Sequence, residues 1–182
     1  MLRLLLAIFT GLIGAAVLHL IIVLSLPHFG NRDAYTRAVA EGATHRFHLL
    51  DDKREKAELG SGDPFMRVAV CTFDVSEMPV RLAGFGAVPF WSVAIFDSSS
   101  NEIFSMNDRT SAGGMLDILI ANTVQLAAIR KAQPQALSQS ILAESSRNEG
   151  YAVLRTMVPQ PSFVEEAERF LGEAKCEQTP WQ

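Results

Sequence analysis

Cysteine is nearly absent from this chain: Cys71 and Cys176 are the only two among 182 residues. They lie too far apart for a Cys-x-x-Cys pair, which excludes the common dithiol redox and zinc motifs. Histidine is also scarce, and all four lie before residue 49. A serine triad would have to draw its base from that early stretch. There is no Gly-x-Ser-x-Gly elbow, no Gly-Lys-Ser/Thr phosphate loop and no His-Glu-x-x-His. Internal repeats and low-complexity tracts are missing as well. These absences exclude the enzyme classes that the motifs define.

What is present begins with one long apolar run. Leu4 to Leu26 is 23 residues without a charge. As a helix it reaches roughly 34 Å, enough to cross a ~30 Å hydrocarbon core with some tilt. No second stretch comes close. The competing reading is a cleaved secretory signal, whose apolar core is usually ~7–15 residues before a small-x-small site. Here the run is longer and ends Leu24-Ser25-Leu26-Pro27, which favours an uncleaved anchor. Arg3 precedes the run, and Arg32 and Arg37 follow it, so the positive-inside bias is weak. The short stub before the run fits a signal-anchor with everything after it exported. The expectation is a single-pass bacterial inner-membrane protein with its domain in the periplasm.

Within the run, Ala7, Gly11, Ala15 and His19 recur every four residues and share one helix face. Small residues at that spacing let membrane helices approach, and an imidazole can hydrogen-bond across the contact. Gly11, Ala15 and His19 are therefore candidate contacts with a second copy or another membrane protein. The simpler account is that alanine and glycine are common in spans and His19 is tolerated.

Residues 31–182 hold all 20 acidic residues and 15 of the 16 basic ones, a formal net charge of −5. Such a surface argues against nucleic acid and against a polybasic grip on anionic lipid. About 150 residues is the usual size of one domain. We divide the chain into an anchor over 1–30, a juxtamembrane helix and charged loop over 31–64, and a β-rich domain over 65–182.

The pattern after the anchor alternates short strands with a few helices. Asn31-Arg32-Asp33 opens a helical stretch through Ala40 that Gly42 ends. A short strand is expected over His45–Leu50, then a solvated loop over Asp51–Glu58 continuing through Gly60-Ser61-Gly62-Asp63-Pro64. Met66–Asp74 is apolar on both faces and should be central. Val80–Ala83, Phe90–Asp97 and Glu102–Met106 are further strands, the last two forming a hairpin around Ser98–Asn101. Leu116–Ala121 is a strand, and Asn122 or Thr123 caps the helix after it. Tyr151–Val158 is the last strand. Ser162-Phe163-Val164-Glu165 matches a capping box for a final helix with Phe163, Ala167, Phe170, Leu171 and Ala174 on one face. The fold class is α+β: one amino-terminal transmembrane helix, then a mostly antiparallel, sandwich-like domain with a few helices.

In an exported domain, Cys71 and Cys176 could form one disulfide tying the last helix to the central strand. Closing a loop of ~100 residues is worth at most about 4–5 kcal/mol. The alternative is two separate buried thiols.

Arg67-Val-Ala-Val-Cys71-Thr-Phe-Asp-Val75, Pro79-Val80, Pro89-Phe90-Trp91-Ser92-Val93-Ala94-Ile95-Phe96-Asp97 and Asn107-Asp108-Arg109-Thr110 follow one another in order. Together with Gln125-Leu126, Arg130, Gly150, Leu154-Arg155 and Pro159, this series resembles the domain of unknown function 1254 family, in its short membrane-anchored alphaproteobacterial form. The similarity runs from about Arg67 to Cys176. It implies an exported domain of the sandwich or jelly-roll type. It also implies a companion, because many relatives carry a second domain, the domain of unknown function 1214. A separate membrane protein bearing that domain is the expected partner.

The polar candidates are Arg67, Asp97, Asn107, Asp108, Arg109 and Arg155, with Trp91 among them. Function requires them to converge on one cleft. Turn chemistry alone would also explain Asn107 and Asp108, an Arg109–Asp97 ion pair would be structural, and Trp91 fits a core position. Arg67 and Arg155 lie within apolar strands, where a charge needs a partner or an open face. His45 and His48 are three apart, which on a strand faces them oppositely and spoils metal convergence. No metal site and no cofactor is expected. The reading these features favour is a noncatalytic binding or assembly module of the cell envelope. The alternatives are a hydrolase or other enzyme with an unrecognised polar pocket, and a lipid or small-molecule carrier.

The helix face generates a test. Gly11→Leu should weaken detergent-resistant association measured by crosslinking, because a large side chain holds the backbones apart. Leu12→Ile, on another face, should leave it unchanged. Equal crosslinking of both variants and wild type would reduce the segment to a plain anchor.

Overall fold

The structure, a computed structural model, describes residues 1–50 and 63–180. The charged loop expected over Asp51–Glu58 and its extension through Gly60-Ser61-Gly62 lie outside the described residues. The chain opens with helix α1, Leu2–Glu41, 40 residues without interruption. Its Leu2–Leu26 part is long and apolar enough to cross a membrane, and none of it is buried within the protein. The helix expected separately over 31–40 is thus the end of the first one. Pro27 removes one backbone donor, yet the helix runs on through it.

Two sheets follow. The first has the order β1 (His48–Leu50), β2 (Met66–Asp74), β8 (Glu149–Met157), β4 (Trp91–Asp97) and β5 (Glu102–Asn107). The second has the order β7 (Ile141–Glu144), β6 (Leu116–Ala121), β3 (Val80–Gly84) and β9 (Lys175–Gln178). All pairings are antiparallel except β6 with β7. A parallel pair needs a crossover, and helix α2, Thr123–Ala132, lies in that connection. Asn122 caps it: its side chain accepts from the Gln125 amide while Gln125 Oε1 accepts from the Asn122 amide. Gln125 Nε2 also donates to the Val75 carbonyl at 2.8 Å, fixing α2 to the end of β2.

Strand alternation sorts the side chains into layers. Ala69, Cys71 and Phe73 of β2, Val93 and Ile95 of β4, and Ala152 and Leu154 of β8 face Leu82 of β3 and Ile118 and Ile120 of β6 in one buried core. The opposite parity of the first sheet, Val68, Val70 and Tyr151, packs with Ala38 of α1. On the outer face of the second sheet, Leu119 and Ala121 pack with Leu126 and Ile129 of α2. Helix α3, Val164–Glu173, buries Ala167, Phe170 and Leu171. The expected Ser162 capping box is not formed: a 3-10 turn over Pro161–Phe163 leads into α3, and no side chain caps it. Proline at the start of that turn fixes a helical φ without needing an amide donor.

Gly150 is required by close approach. A Cβ there would collide with the Phe96 carbonyl and the Phe73 ring.

Cys71 and Cys176 are joined, with Cα atoms 6.6 Å apart across a sequence separation of 105. Cys176 lies on β9, an edge strand absent from the sequence-based expectation, so the bridge ties one sheet to the other rather than a helix to a strand. Both residues are buried in the shared core. The Cys71→Ser variant should therefore lose up to about 4–5 kcal/mol of stability in non-reducing denaturant melts. In reductant the same substitution should cost far less. Two freely alkylated thiols in unfolded, non-reduced wild type would rule the bridge out.

Candidate functional site

The sequence candidates fall into separate places. Asp97 ends β4 and organises the hairpin turn. Its Oδ1 accepts from the amides of Ser99 and Asn101, at 2.8 and 2.9 Å, and Oδ2 accepts from Asn101 Nδ2 at 2.9 Å. Arg147 approaches Oδ2 at 3.5 Å. Burial pushes the Asp97 pKa up, but the Asn101 and Ser99 hydrogen bonds and the Arg147 charge outweigh it, so the carboxyl titrates below its ordinary range. The expected partner, Arg109, is elsewhere. Asn107 pairs with Ser92 near the start of β4, about 17 Å along the strand from Asp97 at ~3.3 Å per residue.

Asn107, Asp108 and Arg109 form a turn of their own. Asn107 Oδ1 accepts from the amides of Arg109 and Thr110. The Asp108 amide donates to the Trp91 carbonyl, while its Oδ1 is shielded from solvent without a hydrogen-bond partner among the described residues. Trp91 is a core residue, 2% exposed, and its indole Nε1 donates to the Gly114 carbonyl at 2.9 Å. The ring packs the interior while the polar edge fastens the segment between β5 and β6.

Arg67 and Arg155 occupy the same end of the first sheet, since Val68 faces Arg155 and Arg67 faces Thr156 in register. They point to opposite faces by parity. Arg67 donates to the carbonyls of Pro64 and Met66. Arg155 is exposed on the outer face and has no hydrogen bond or ion pair among the described residues. His45 Nε2 lies 3.1 Å from the Asp74 backbone, and His48 Nε2 lies 2.8 Å from the Ala43 carbonyl. Among the described residues, no three His, Cys, Asp or Glu side chains gather where they could hold a metal ion.

A cleft that includes the sequence candidate Arg155 lies on the outer face of the first sheet. It is a groove of about 280 Å³ with Ala34 of α1 on one wall and Val68, Val70, Val153 and Phe96 on the sheet. Arg155 is the charged residue of its lining. The helix is held over the sheet by aromatic packing. Tyr35 lies 6.4 Å from Tyr151, which stacks on Phe96 at 5.0 Å. Burial, together with Glu149 and Asp74, pushes the Tyr35 pKa up to about 12, so its phenol stays neutral at physiological pH.

Sequence reasoning missed several residues that the structure places in polar or groove contacts. Arg147 was not paired with Asp97, although the β8 register sets Gly150 opposite Asp97. Tyr35 and Ala34 gave no signal because nothing in the sequence showed that α1 would reach the sheet. Arg81 and Asp117 form a bidentate ion pair with both N···O distances 2.8 Å, joined by Ser140 Oγ at 3.0 Å. Burial raises the Asp117 pKa, but Arg81 and Ser140 more than offset it and hold the carboxyl below its usual range. This group lies on the outer face of the second sheet, away from the groove.

No family model matches the chain, and no curated protein matches it. Two crystal structures have a similar fold. The VPA0106 protein of Vibrio parahaemolyticus superposes with a TM-score of 0.52 at 12% identity, over 64% of this chain and 28% of that one. An uncharacterised protein from Burkholderia cenocepacia superposes with a TM-score of 0.51 at 14% identity, over 83% of this chain and 39% of that one. At such identities the likeness shows the fold alone. This chain spans well under half the length of either structure.

Asp97 supplies a pH-dependent test. Asp97→Ala leaves two amides of the turn without their acceptor and should cost about 1–3 kcal/mol at pH 7. Because the folded-state pKa is lowered, the wild-type advantage is fully present above the unfolded carboxyl value. It should shrink as pH falls below about 4 and vanish once the native carboxyl is protonated. Denaturant melts of both proteins at pH 7 and pH 3 check this, and a difference independent of pH would refute it.

Proposed function

We propose that this chain is a membrane-anchored, noncatalytic binding module of the bacterial cell envelope. Its anchor crosses the inner membrane once, and its sandwich works in the periplasm. The observation that carries this reading is the continuity of α1. One helix joins the apolar segment to the face of the sheet that bears the groove. A recognition surface built this way is held close to the membrane by the same helix that forms its wall. The disulfide supports export, because such bonds persist in oxidising compartments.

The resemblance to the domain of unknown function 1254 family belongs to the same reading, as does a companion bearing the domain of unknown function 1214. Gly11, Ala15 and His19 are exposed on α1, and nothing lies within 4 Å of where a Gly11 side chain would start. They are the proposed contact with that companion or with a second copy. An enzymatic reading would draw support from carboxylates and arginines meeting in one pocket. Asp97 and Arg109 instead stand at opposite ends of β4, engaged in local turns.

Topology tests the reading. Alkaline phosphatase fused after Gln182 should be active in cells, and a fluorescent protein that matures only in the cytoplasm should be dark at the same site. The reverse pattern would overturn the periplasmic placement.

A further inference from the structure

The groove between α1 and the first sheet has a specific chemical character. Its sheet wall is made of the outward side chains of β2, β8 and β4, chiefly Val68, Val70, Val153 and Phe96. Outward positions on a solvated sheet are ordinarily polar. Here they are apolar: Val68 and Val70 are buried in the cluster that includes Ala38 of α1, while Val153 and Phe96 stay partly exposed in the groove beside the small Ala34. Tyr151 adds its ring to the wall, while its hydroxyl is 3.2 Å from Ser100 Oγ. That leaves Arg155 as the charged group of the lining, exposed and without a partner among the described residues.

An apolar slot with one free guanidinium at its rim is complementary to a molecule with an apolar body and an anionic head. Guanidinium pairs with carboxylate or phosphate in charge-assisted hydrogen bonds. The volume, about 280 Å³, is at the lower edge of small-molecule sites, which run ~300–1,000 Å³. It suits one alkyl chain better than two. The source is set by α1. Ala34 stands eight residues beyond Leu26, where the apolar segment ends, and so about 12 Å further along the helix axis. Headgroup layers extend only about 5–8 Å beyond the hydrocarbon on each side. The groove therefore opens just above the surface from which a single-chain amphiphile would leave.

We infer that this groove binds a single-chain anionic amphiphile drawn from the bilayer, its alkyl chain against Val68, Val153 and Phe96 and its head on Arg155. The inference rests on the proposed role as a membrane-anchored binding module and gives that role a ligand class. Arg155 is a binding residue here, with no chemical step assigned to it.

The full chain in phosphatidylcholine nanodiscs, labelled with a diazirine-bearing long-chain fatty acid, tests the assignment, with the matching long-chain alcohol as the neutral control. Photolabel from the acid should map to β2 and β8 and exceed that from the alcohol by about tenfold, the worth of one charge-assisted contact. Arg155→Gln should abolish the preference for the acid, and Arg155→Lys should retain part of it. Val153→Trp, which fills the slot, should reduce labelling by both probes. Ala34→Phe fills it from the helix side, so misfolding of one variant does not decide the result. Label confined to residues 2–26, or equal labelling by acid and alcohol, would overturn the inference. Purified protein in a nanodisc has no cellular topology, so such a failure leaves the alkaline phosphatase result intact. Failure of that fusion, in turn, would leave the photolabelling result standing.

Discussion

The structure depends on the strand at the middle of its first sheet. β8 is hydrogen-bonded along its whole length to β2 on one side and along most of it to β4 on the other. Because side chains alternate strictly along a strand, this double pairing fixes which residues of all three strands face the second sheet. A slip of one residue would turn Ala152 and Leu154 outward and drive Arg155 into the core. Gly150 blocks such slippage sterically, since the Phe96 carbonyl and the Phe73 ring leave no room for a side chain there. The disulfide adds a covalent constraint in the other direction, from β2 across the core to β9. In-plane register and the seating of the two sheets are therefore secured by different interactions.

The same register determines what reaches the outside. With the odd positions of β2 committed to the core, Val68 and Val70 must face outward, and they need cover. The end of α1 provides it through Ala38 and Tyr35. The final turns of α1 are thus packed into the folded domain, and the same helix continues back to the apolar segment Leu2–Leu26. Tyr35 seals one side of the contact against Tyr151, while Ala34 leaves the other side open as the groove.

How much of this could be read from sequence follows from where information is local. Met66–Asp74 and Leu116–Ala121 were legible to the residue because continuous apolar runs between turn residues have few other uses. The hairpin of β4 and β5 was legible from the Ser-Ser-Ser-Asn turn. β7 and β9 were not, since four-residue edge strands such as Lys175–Gln178 carry no alternation long enough to recognise. The cysteine pairing was anticipated, but its meaning changed once Cys176 proved to sit on a strand. Ser162 and Glu165 had the spacing of a capping box, yet Pro161 started a tighter turn first. The polar candidates were grouped by closeness in sequence, and strand geometry separated them: six residues along β4 are enough to place Asp97 and Asn107 at opposite ends of the sheet.

Arg155 shows why the groove was the least legible feature. In sequence it is a cation between Leu154 and Thr156, and an open sheet face accounts for it. Its chemical setting comes from three segments that only the fold assembles: β2, β8 and the end of a helix that starts more than a hundred residues earlier. The apolar character of that surface is visible in the valines, but the gap is created by what is missing, a large side chain at position 34. A groove made by leaving space between two packed elements has no motif. It can be found only after the elements that bound it, and the contacts that hold them apart, have been placed.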